Sequence, residues 1–127
     1  MNILLDTHML IWAALDRLPP KASTYILDAS NKLFFSPVNI WEIVIKQGID
    51  KTAIKIDVQS FYTNLKRQGY EELAVTSEHA LAVAALPAIH KDPFDRMLLA
   101  QAIVADCMLL TADSLLRNYP QNVLYGA

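Results

Sequence analysis

The stretch DPFDRMLLAQAIVADCMLL, residues 92–110, decides the fold class. Asp92 followed by Pro93 is a helix N-cap with proline at the first helical position, so we expect a long helix that runs through Ala105. Cys107–Leu110 is a short and wholly apolar run, which is typical of a strand buried within a sheet. A helix that leads directly into a buried strand is the unit from which α/β proteins are built.

Similar signals divide the rest of the chain into alternating strands and helices. We predict strands at Asn2–Leu5, Leu33–Phe35, Leu73–Val75, Cys107–Leu110 and Asn122–Tyr125. Counted from their N-terminal signals, the predicted helices are Met9–Leu15, Pro20–Asp28, Ser36–Gly48, Asp57–Gly69, Ser77–Leu86 and Asp92–Ala105. Such alternation predicts an α/β fold of three layers, α/β/α, around a short central parallel sheet that binds its ligands at the carboxyl ends of the strands.

The composition narrows the class of protein. A chain of 127 residues is long enough for a single domain, residues 1–127. Cys107 is the only cysteine, so a disulfide-stapled secreted domain is excluded. We expect a cytoplasmic protein without a membrane anchor, because there is no basic leader and no apolar run that would span a bilayer. Hydrophobic residues make up 54% and the mean hydropathy is +0.24, which predicts an apolar partner surface and a homodimer.

Four carboxylates follow strands or helix starts in a way that would bring them to one edge of the sheet. Asp6 follows the first strand and Asp113 follows the fourth, while Glu42 and Asp95 lie on helices that begin after a strand or a cap. Carboxylates that share a pocket repel one another unless cations neutralise them, so the pattern predicts a divalent metal site. Ligands that are all oxygen favour Mg²⁺ or Mn²⁺ over zinc.

Three of these acids have an ordinary structural alternative in helix capping. Asp6 and Asp113 are both suited to cap the segment that follows them. Asp95 lies in the first turn of a helix that Asp92 already caps, where the helix dipole keeps a carboxylate ionised. Since one acid is enough for the cap, the second favours a functional role.

Glu42 is placed by a helical wheel at the border of an apolar face, where buried surface meets solvent. The residues of that predicted face are Val38, Ile40, Trp41, Val44 and Ile45. The alternative for Glu42 is an exposed ion pair with Lys46 at position i+4, worth about 0.2–0.5 kcal/mol.

Residues next to the acids suggest supporting roles. Thr7 and Thr111 carry hydroxyls that would orient the carboxylates, and Arg96 would stabilise the cluster or contact a phosphate, with plain surface exposure as its alternative. His8 is interpreted as a packed or hydrogen-bonded histidine, because no cysteine or second histidine lies at zinc-ligand spacing.

The net charge of −2 and a pI of about 5.8 argue at first against a nucleic-acid ligand. The distribution of charge changes that interpretation. Of the 13 acidic residues, four belong to the proposed site. The other nine are outnumbered by the 11 basic residues of the chain. A bound cation would bring the site itself towards neutrality.

Four segments together resemble the PIN-domain ribonucleases, and in particular the VapC-type toxins of bacterial toxin–antitoxin pairs. The segments are Leu4–His8, Ser36–Glu42, His90–Arg96 with Leu99–Ala102, and Leu110–Asp113, of which the third is the most specific. The resemblance implies a PIN-like fold and an acidic metal-binding set at Asp6, Glu42, Asp95 and Asp113, with Thr111 as the neighbouring hydroxyl. It also implies a Mg²⁺- or Mn²⁺-dependent endoribonuclease that cleaves RNA, is restrained by a cognate antitoxin and usually dimerises.

Other functions remain open at the level of sequence. A receiver-like signalling domain also holds magnesium at strand ends, although this chain shows no phosphoacceptor aspartate after a middle strand and no lysine after a late one. A catalytically inactive binding protein of the same fold is a second alternative. A nuclease that acts on DNA is a third, because a contact to the 2′-hydroxyl cannot be read from these motifs.

Overall fold

The computed structural model describes residues 1–127 as one five-stranded sheet and six helices. The strands are β1 (Asn2–Leu5), β2 (Lys32–Phe35), β3 (Glu71–Glu72), β4 (Met108–Thr111) and β5 (Val123–Tyr125). The helices are α1 (Thr7–Ala14), α2 (Pro20–Leu27), α3 (Pro37–Ile49), α4 (Val58–Arg67), α5 (Ser77–Ala82) and α6 (Pro93–Ala105). All strand pairs are parallel, in the order β3-β2-β1-β4-β5.

The central strand β1 divides the core into two apolar clusters. Leu4 is opposite Phe34 of β2 and Leu109 of β4, and its side chain joins the cluster under α6. Ile3 and Leu5 point to the other face, where they join side chains from α1, α2, α3 and α4. This alternation confirms the three-layer α/β/α architecture predicted from the sequence.

The structure corrects the predicted orientation of α3. Trp41, Val44 and Ile45, which the helical wheel placed on the apolar inner face, are 58%, 48% and 40% exposed. The face that is buried consists of Val38, Asn39, Glu42 and Ile43. The helix is turned this way because Asn39 and Glu42 find hydrogen-bond partners at the end of β1, which satisfies their polar atoms inside the protein.

Several predicted boundaries also move. α3 continues past Gly48 and ends at Ile49, with Asp50 as its C-cap, so Gly48 is not its stop. The third strand was predicted at Leu73–Val75 but pairs with β2 only at Glu71–Glu72. The chain leaves the sheet at Leu73, whose carbonyl accepts a hydrogen bond from the Gln101 side chain and not from a strand.

The helices α1 and α5 differ from prediction at their ends. α1 begins at Thr7, two residues earlier than predicted, because Asp6 caps it. Thr76, and not Ser77, caps α5, which ends at Ala82 and is followed by a short 3₁₀ turn.

The sheet order separates this fold from one of the sequence alternatives. Receiver domains have the strand order 2-1-3-4-5, whereas this sheet has the order 3-2-1-4-5. The receiver-like interpretation is therefore wrong. None of the helices combines the length and the apolar character that crossing a membrane requires.

Candidate metal and catalytic site

The four predicted carboxylates line one cleft of about 280 Å³ at the carboxyl ends of β1 and β4. Asp6 comes from the end of β1, Glu42 from the middle of α3, Asp95 from the first turn of α6 and Asp113 from the loop after β4. Asp92 and Lys46 also line the cleft. The parallel sheet brings these residues together because its strand ends lie at a common edge.

Asp6 is 3% exposed and has both carboxylate oxygens engaged by the protein. Oδ1 accepts the N–H of Met9 at 2.8 Å, which makes Asp6 the N-cap of α1, and Oδ2 accepts the hydroxyl of Thr111 at 2.5 Å. Burial raises the pKa of Asp6, and these two hydrogen bonds lower it only in part. The capping role and a position in the cleft therefore coexist in one residue.

Glu42 is 2% exposed and is held through both of its oxygens. Oε1 accepts the hydroxyl of Thr7 at 2.6 Å, and Oε2 accepts Lys46 Nζ at 2.5 Å. The Thr7 oxygen in turn accepts the Asn39 side-chain amide at 3.1 Å. The pair with Lys46 thus forms, but Glu42 is buried, whereas the alternative interpretation expected an exposed pair and the helical wheel placed Glu42 at the border of the apolar face.

Lys46 contributes a positive charge to the cleft that the sequence interpretation did not assign. Partial burial lowers the pKa of Lys46, but the hydrogen bond and charge of Glu42, together with Asp92 and Asp95, raise it above its usual value overall. The ammonium group therefore stays charged at neutral pH. The only sequence indication of this contact is the position of Lys46 one helical turn after Glu42, which predicts an exposed ion pair and not a charge in the cleft.

Asp95 is a partly buried carboxylate whose ionised form is disfavoured by its surroundings. Asp92 Oδ1 accepts the N–H groups of Phe94 and Asp95, so the carboxylate of Asp95 is not needed to cap α6. Burial, followed by the charges of Asp92, Glu42 and Asp6, raises the pKa of Asp95 to about 7. A carboxylate of this kind gains from a nearby cation.

Asp113 is the most exposed of the four acids, with 35% of its side chain accessible. Its Oδ1 accepts the N–H groups of Leu115 and Leu116, so Asp113 caps the turn that follows it, as the capping alternative predicted. Burial raises the pKa of Asp113, but hydrogen bonds from His90 and from these N–H groups outweigh it, so the pKa is lowered. Its Oδ2 faces the cleft.

His90 joins Asp95 and Asp113, and the sequence interpretation missed it. Its Nε2 is 3.1 Å from Oδ2 of Asp95 and 3.1 Å from Oδ2 of Asp113. These three side chains offer atoms that lie within 4.8 Å of one another. His90 begins the HKDPFDR segment, and this position was the only available signal.

Arg96 and His8 are placed differently from what the sequence suggested. The Arg96 guanidinium donates to the carbonyls of Val83, Pro87 and His90 and to the Tyr119 hydroxyl, and to none of the site carboxylates. Arg96 therefore holds the segment before α6. His8 is exposed, not packed, and its ring is tilted against Trp12 at 6.1 Å on the rim of the cleft.

A comparison with protein-family models matches residues 3–122 to the PIN domain. The chain belongs to the PIN-domain family. The resemblance carried by the four sequence segments is thereby confirmed at the level of the family. A comparison with curated protein sequences gives no match.

Solved structures with the PIN fold of this chain come from toxin–antitoxin complexes. VapBC2 of Rickettsia felis, bound to a promoter DNA fragment, superposes with a TM-score of 0.73 at 16% identity and covers 100% of both chains. DNA-bound VapBC of Salmonella typhimurium gives 0.70 at 15% identity, with 100% and 99% covered. A toxin–antitoxin complex of Klebsiella pneumoniae gives 0.67 at 18% identity, with 98% of each covered. At these identities the likeness establishes the fold.

The donor set of this PIN domain fits a hard divalent cation. Five carboxylates, Asp92 included, line the cleft and no thiolate does, and burial together with the neighbouring negative charges raises the pKa of Asp95. PIN-domain nucleases generally use divalent metals. Carboxylate oxygen is the ligand that Mg²⁺ and Mn²⁺ prefer, whereas zinc sites favour nitrogen and sulfur ligands.

Proposed function

We propose that this PIN domain is a Mg²⁺- or Mn²⁺-dependent endoribonuclease. The observation that carries the proposal is the convergence of Asp6, Glu42, Asp95 and Asp113 on one cleft at the strand ends. The raised pKa of Asp95 supports it, because the cleft holds more negative charge than its own cations balance.

In this proposal the four acids hold the ion and the other polar residues hold the acids. The hydroxyls of Thr111 and Thr7 fix Asp6 and Glu42 by direct hydrogen bonds. The bound ion supplies Lewis acidity, which activates water and stabilises charge on the phosphoryl group. The water oxygen bonds to phosphorus, the bond from phosphorus to the 3′ oxygen breaks, and that oxygen takes up a proton. The products carry a 5′-phosphate and a 3′-hydroxyl.

The substrate proposed is unpaired RNA. His8 and Trp12 form a ring pair on the rim of the acidic cleft, where an unstacked base would find an aromatic surface. Proteins that bind single-stranded nucleic acid commonly use such surfaces. Lys46 supplies a positive charge in the same cleft for a phosphate.

The test is cleavage of a single-stranded RNA and of a DNA with the same sequence, each with Mg²⁺ and with excess chelator. We expect cleavage of the RNA only, loss of cleavage with chelator, and at least a hundredfold loss in Asp95→Asn. Asp16→Asn, an exposed acid outside the cleft, serves as the matched control. Cleavage of the DNA alone would assign a different nuclease, and a metal-loaded protein that cleaves neither would indicate an inactive binding protein.

We further propose that the chain is the toxin of a pair and is restrained by a cognate antitoxin. The solved proteins that share its fold are toxin–antitoxin complexes. Expression in a bacterial host is expected to arrest growth, and Asp95→Asn is expected to be tolerated. The buried, unpaired Cys107 fits a reducing compartment such as the cytoplasm. Equal toxicity of the wild type and Asp95→Asn would contradict a nuclease toxin.

The homodimer expected from composition is proposed to form through α3. Its exposed apolar residues are Trp41, Val44, Ile45 and Ile49. They adjoin an apolar groove of about 700 Å³ that Trp41 shares with Val75, Phe94 and Met97. A continuous patch of this kind on the surface of a small protein favours a partner interface.

A further inference from the structure

We propose that His90 is a positioning residue whose Nε2–H holds Asp113 beside Asp95 in the arrangement that binds the metal ion. The inference rests on the proposed metal-dependent function. It assigns a role to a residue that touches two of the four acids, although the four segments had suggested no role for it.

The hydrogen bonds of the ring determine where its proton lies. The backbone N–H of Asp92 donates to His90 Nδ1 at 3.1 Å, so Nδ1 must offer a lone pair. The proton of the neutral ring is therefore on Nε2. This N–H donates to Oδ2 of Asp113 at 3.1 Å, and Oδ2 of Asp95 lies at the same distance from Nε2 as a charge contact without a hydrogen bond.

This tautomer makes His90 a donor to the carboxylates and not a ligand of the ion. A histidine nitrogen that carries a proton has no lone pair for a metal. Freeing Nε2 would require a proton on Nδ1, where the N–H of Asp92 already points. The cluster of His90, Asp95 and Asp113 is therefore a carboxylate, Asp113, held by the N–H of His90, with the carboxylate of Asp95 next to the same nitrogen.

The position of His90 is fixed by the residues around it. Its backbone N–H donates to the Tyr119 hydroxyl at 2.9 Å, and its carbonyl accepts Arg96 Nη1 at 3.2 Å. Arg96 also donates to the Tyr119 hydroxyl, which ties both partners together. The His90 side chain is only 10% exposed. Arg96, expected near the carboxylates, thus acts on them through His90.

The two carboxylates need such a donor because they repel each other and differ in freedom. Asp95 is 16% exposed on the rigid first turn of α6, whereas Asp113 is 35% exposed on a loop. Without the hydrogen bond from His90, Asp113 Oδ2 gains by turning towards water, away from Asp95. Residues that orient metal ligands in this way typically change metal affinity by about 10–100-fold when they are removed.

Two substitutions separate the donor from the loop contact. His90→Asn keeps an acceptor close to the position of Nδ1, and so keeps the turn with Asp92, but it loses the donor to the carboxylates. His90→Gln keeps an amide N–H near the position of Nε2. Mn²⁺ binding is measured by EPR titration without RNA, with circular dichroism as the check on folding.

We expect Mn²⁺ to bind His90→Asn about 10–100-fold more weakly than the wild type, and His90→Gln within threefold of it. Wild-type affinity in His90→Asn would overturn the proposal, as would an equal loss in both variants. A second measurement on the wild type needs no variant: long-range ¹H–¹⁵N NMR is expected to show His90 protonated at Nε2 and not at Nδ1. The opposite tautomer would overturn the proposal.

The same data distinguish this inference from the proposed function. A wild-type protein that binds no Mn²⁺ contradicts both. A wild-type protein that binds Mn²⁺ and cleaves RNA, while His90→Asn binds Mn²⁺ equally well, contradicts the role of His90 alone.

Discussion

The pKa of Asp95 is raised by burial and by the charges of the neighbouring carboxylates in the cleft. Its folded-state pKa of about 7 lies above the value of about 3.9 expected in the unfolded chain. The folded protein therefore holds more protons than the unfolded chain between about pH 4 and pH 7. It follows that the metal-free protein loses stability as the pH rises through this window and levels off above it.

This shift leads to a prediction for Asp95→Asn in the presence of chelator. The free energy of unfolding of the wild type should fall from pH 5 to pH 8 relative to that of Asp95→Asn, by roughly 2–3 kcal/mol. The variant is then the more stable protein at pH 8. Urea denaturation at both pH values measures the difference, with Asp16→Asn as the control. Parallel pH profiles in the wild type and Asp95→Asn would show that this carboxyl titrates normally.

At the scale of single elements, α3 contains a glycine that helical geometry does not need. Gly48 lies within the helix, and a Cβ added there meets nothing within 4 Å. Gly48→Ala is expected to raise the free energy of unfolding by roughly 0.5–1 kcal/mol, because alanine restricts the unfolded chain and favours the helix.

Gly69 provides the matched control, because its φ of +93° lies in the left-handed region. Gly69→Ala is expected to destabilise the protein by roughly 1–2 kcal/mol. Chemical denaturation of both variants gives the comparison. A loss of stability in Gly48→Ala would mean that α3 ends at this glycine, as the sequence first suggested.

The elements also explain which features the sequence could predict. The positions of Asp6 and Asp95 could be predicted because a cap signal or a buried strand lies next to each of them. Such local patterns do not depend on tertiary contacts. The orientation of α3 was not predictable by a helical wheel, which places Glu42, beside Asn39, only at the border of the apolar face, whereas both side chains are buried. Their burial depends on Thr7 and the Leu5 carbonyl, which are 32 or more residues away.

Two further features depend on tertiary contacts alone. The role of His90 arises from Asp113, 23 residues later, and no spacing in the sequence indicates that contact. The third strand is too short and too exposed to be predicted, since Glu71 and Glu72 face solvent at the edge of the sheet. The third strand is held in place by backbone pairing with β2, and its own side chains contribute no sequence signal for it.

At the scale of the whole molecule, the exposed apolar face of α3 predicts an assembly. Val44→Glu is expected to convert the proposed dimer to a monomer, because a charge at the centre of an apolar interface would be buried without a partner. Leu27→Glu, at a residue of α2 that is 82% exposed, is the control for adding a charge elsewhere. Size-exclusion chromatography with light scattering measures the mass. A wild-type monomer, or a Val44→Glu dimer, would contradict the proposed interface.

The hydrogen bond between Thr111 and Asp6 joins residues 105 positions apart, and β4 pairs directly with β1. A nascent chain still short of residue 108 has neither β4 nor Asp113, so its cleft cannot form until the ribosome has added these residues. Truncated products of interrupted translation would lack the cleft for the same reason. If the chain has the proposed nuclease activity, the order in which the acids occur along it delays cleavage until Asp113 has been synthesised.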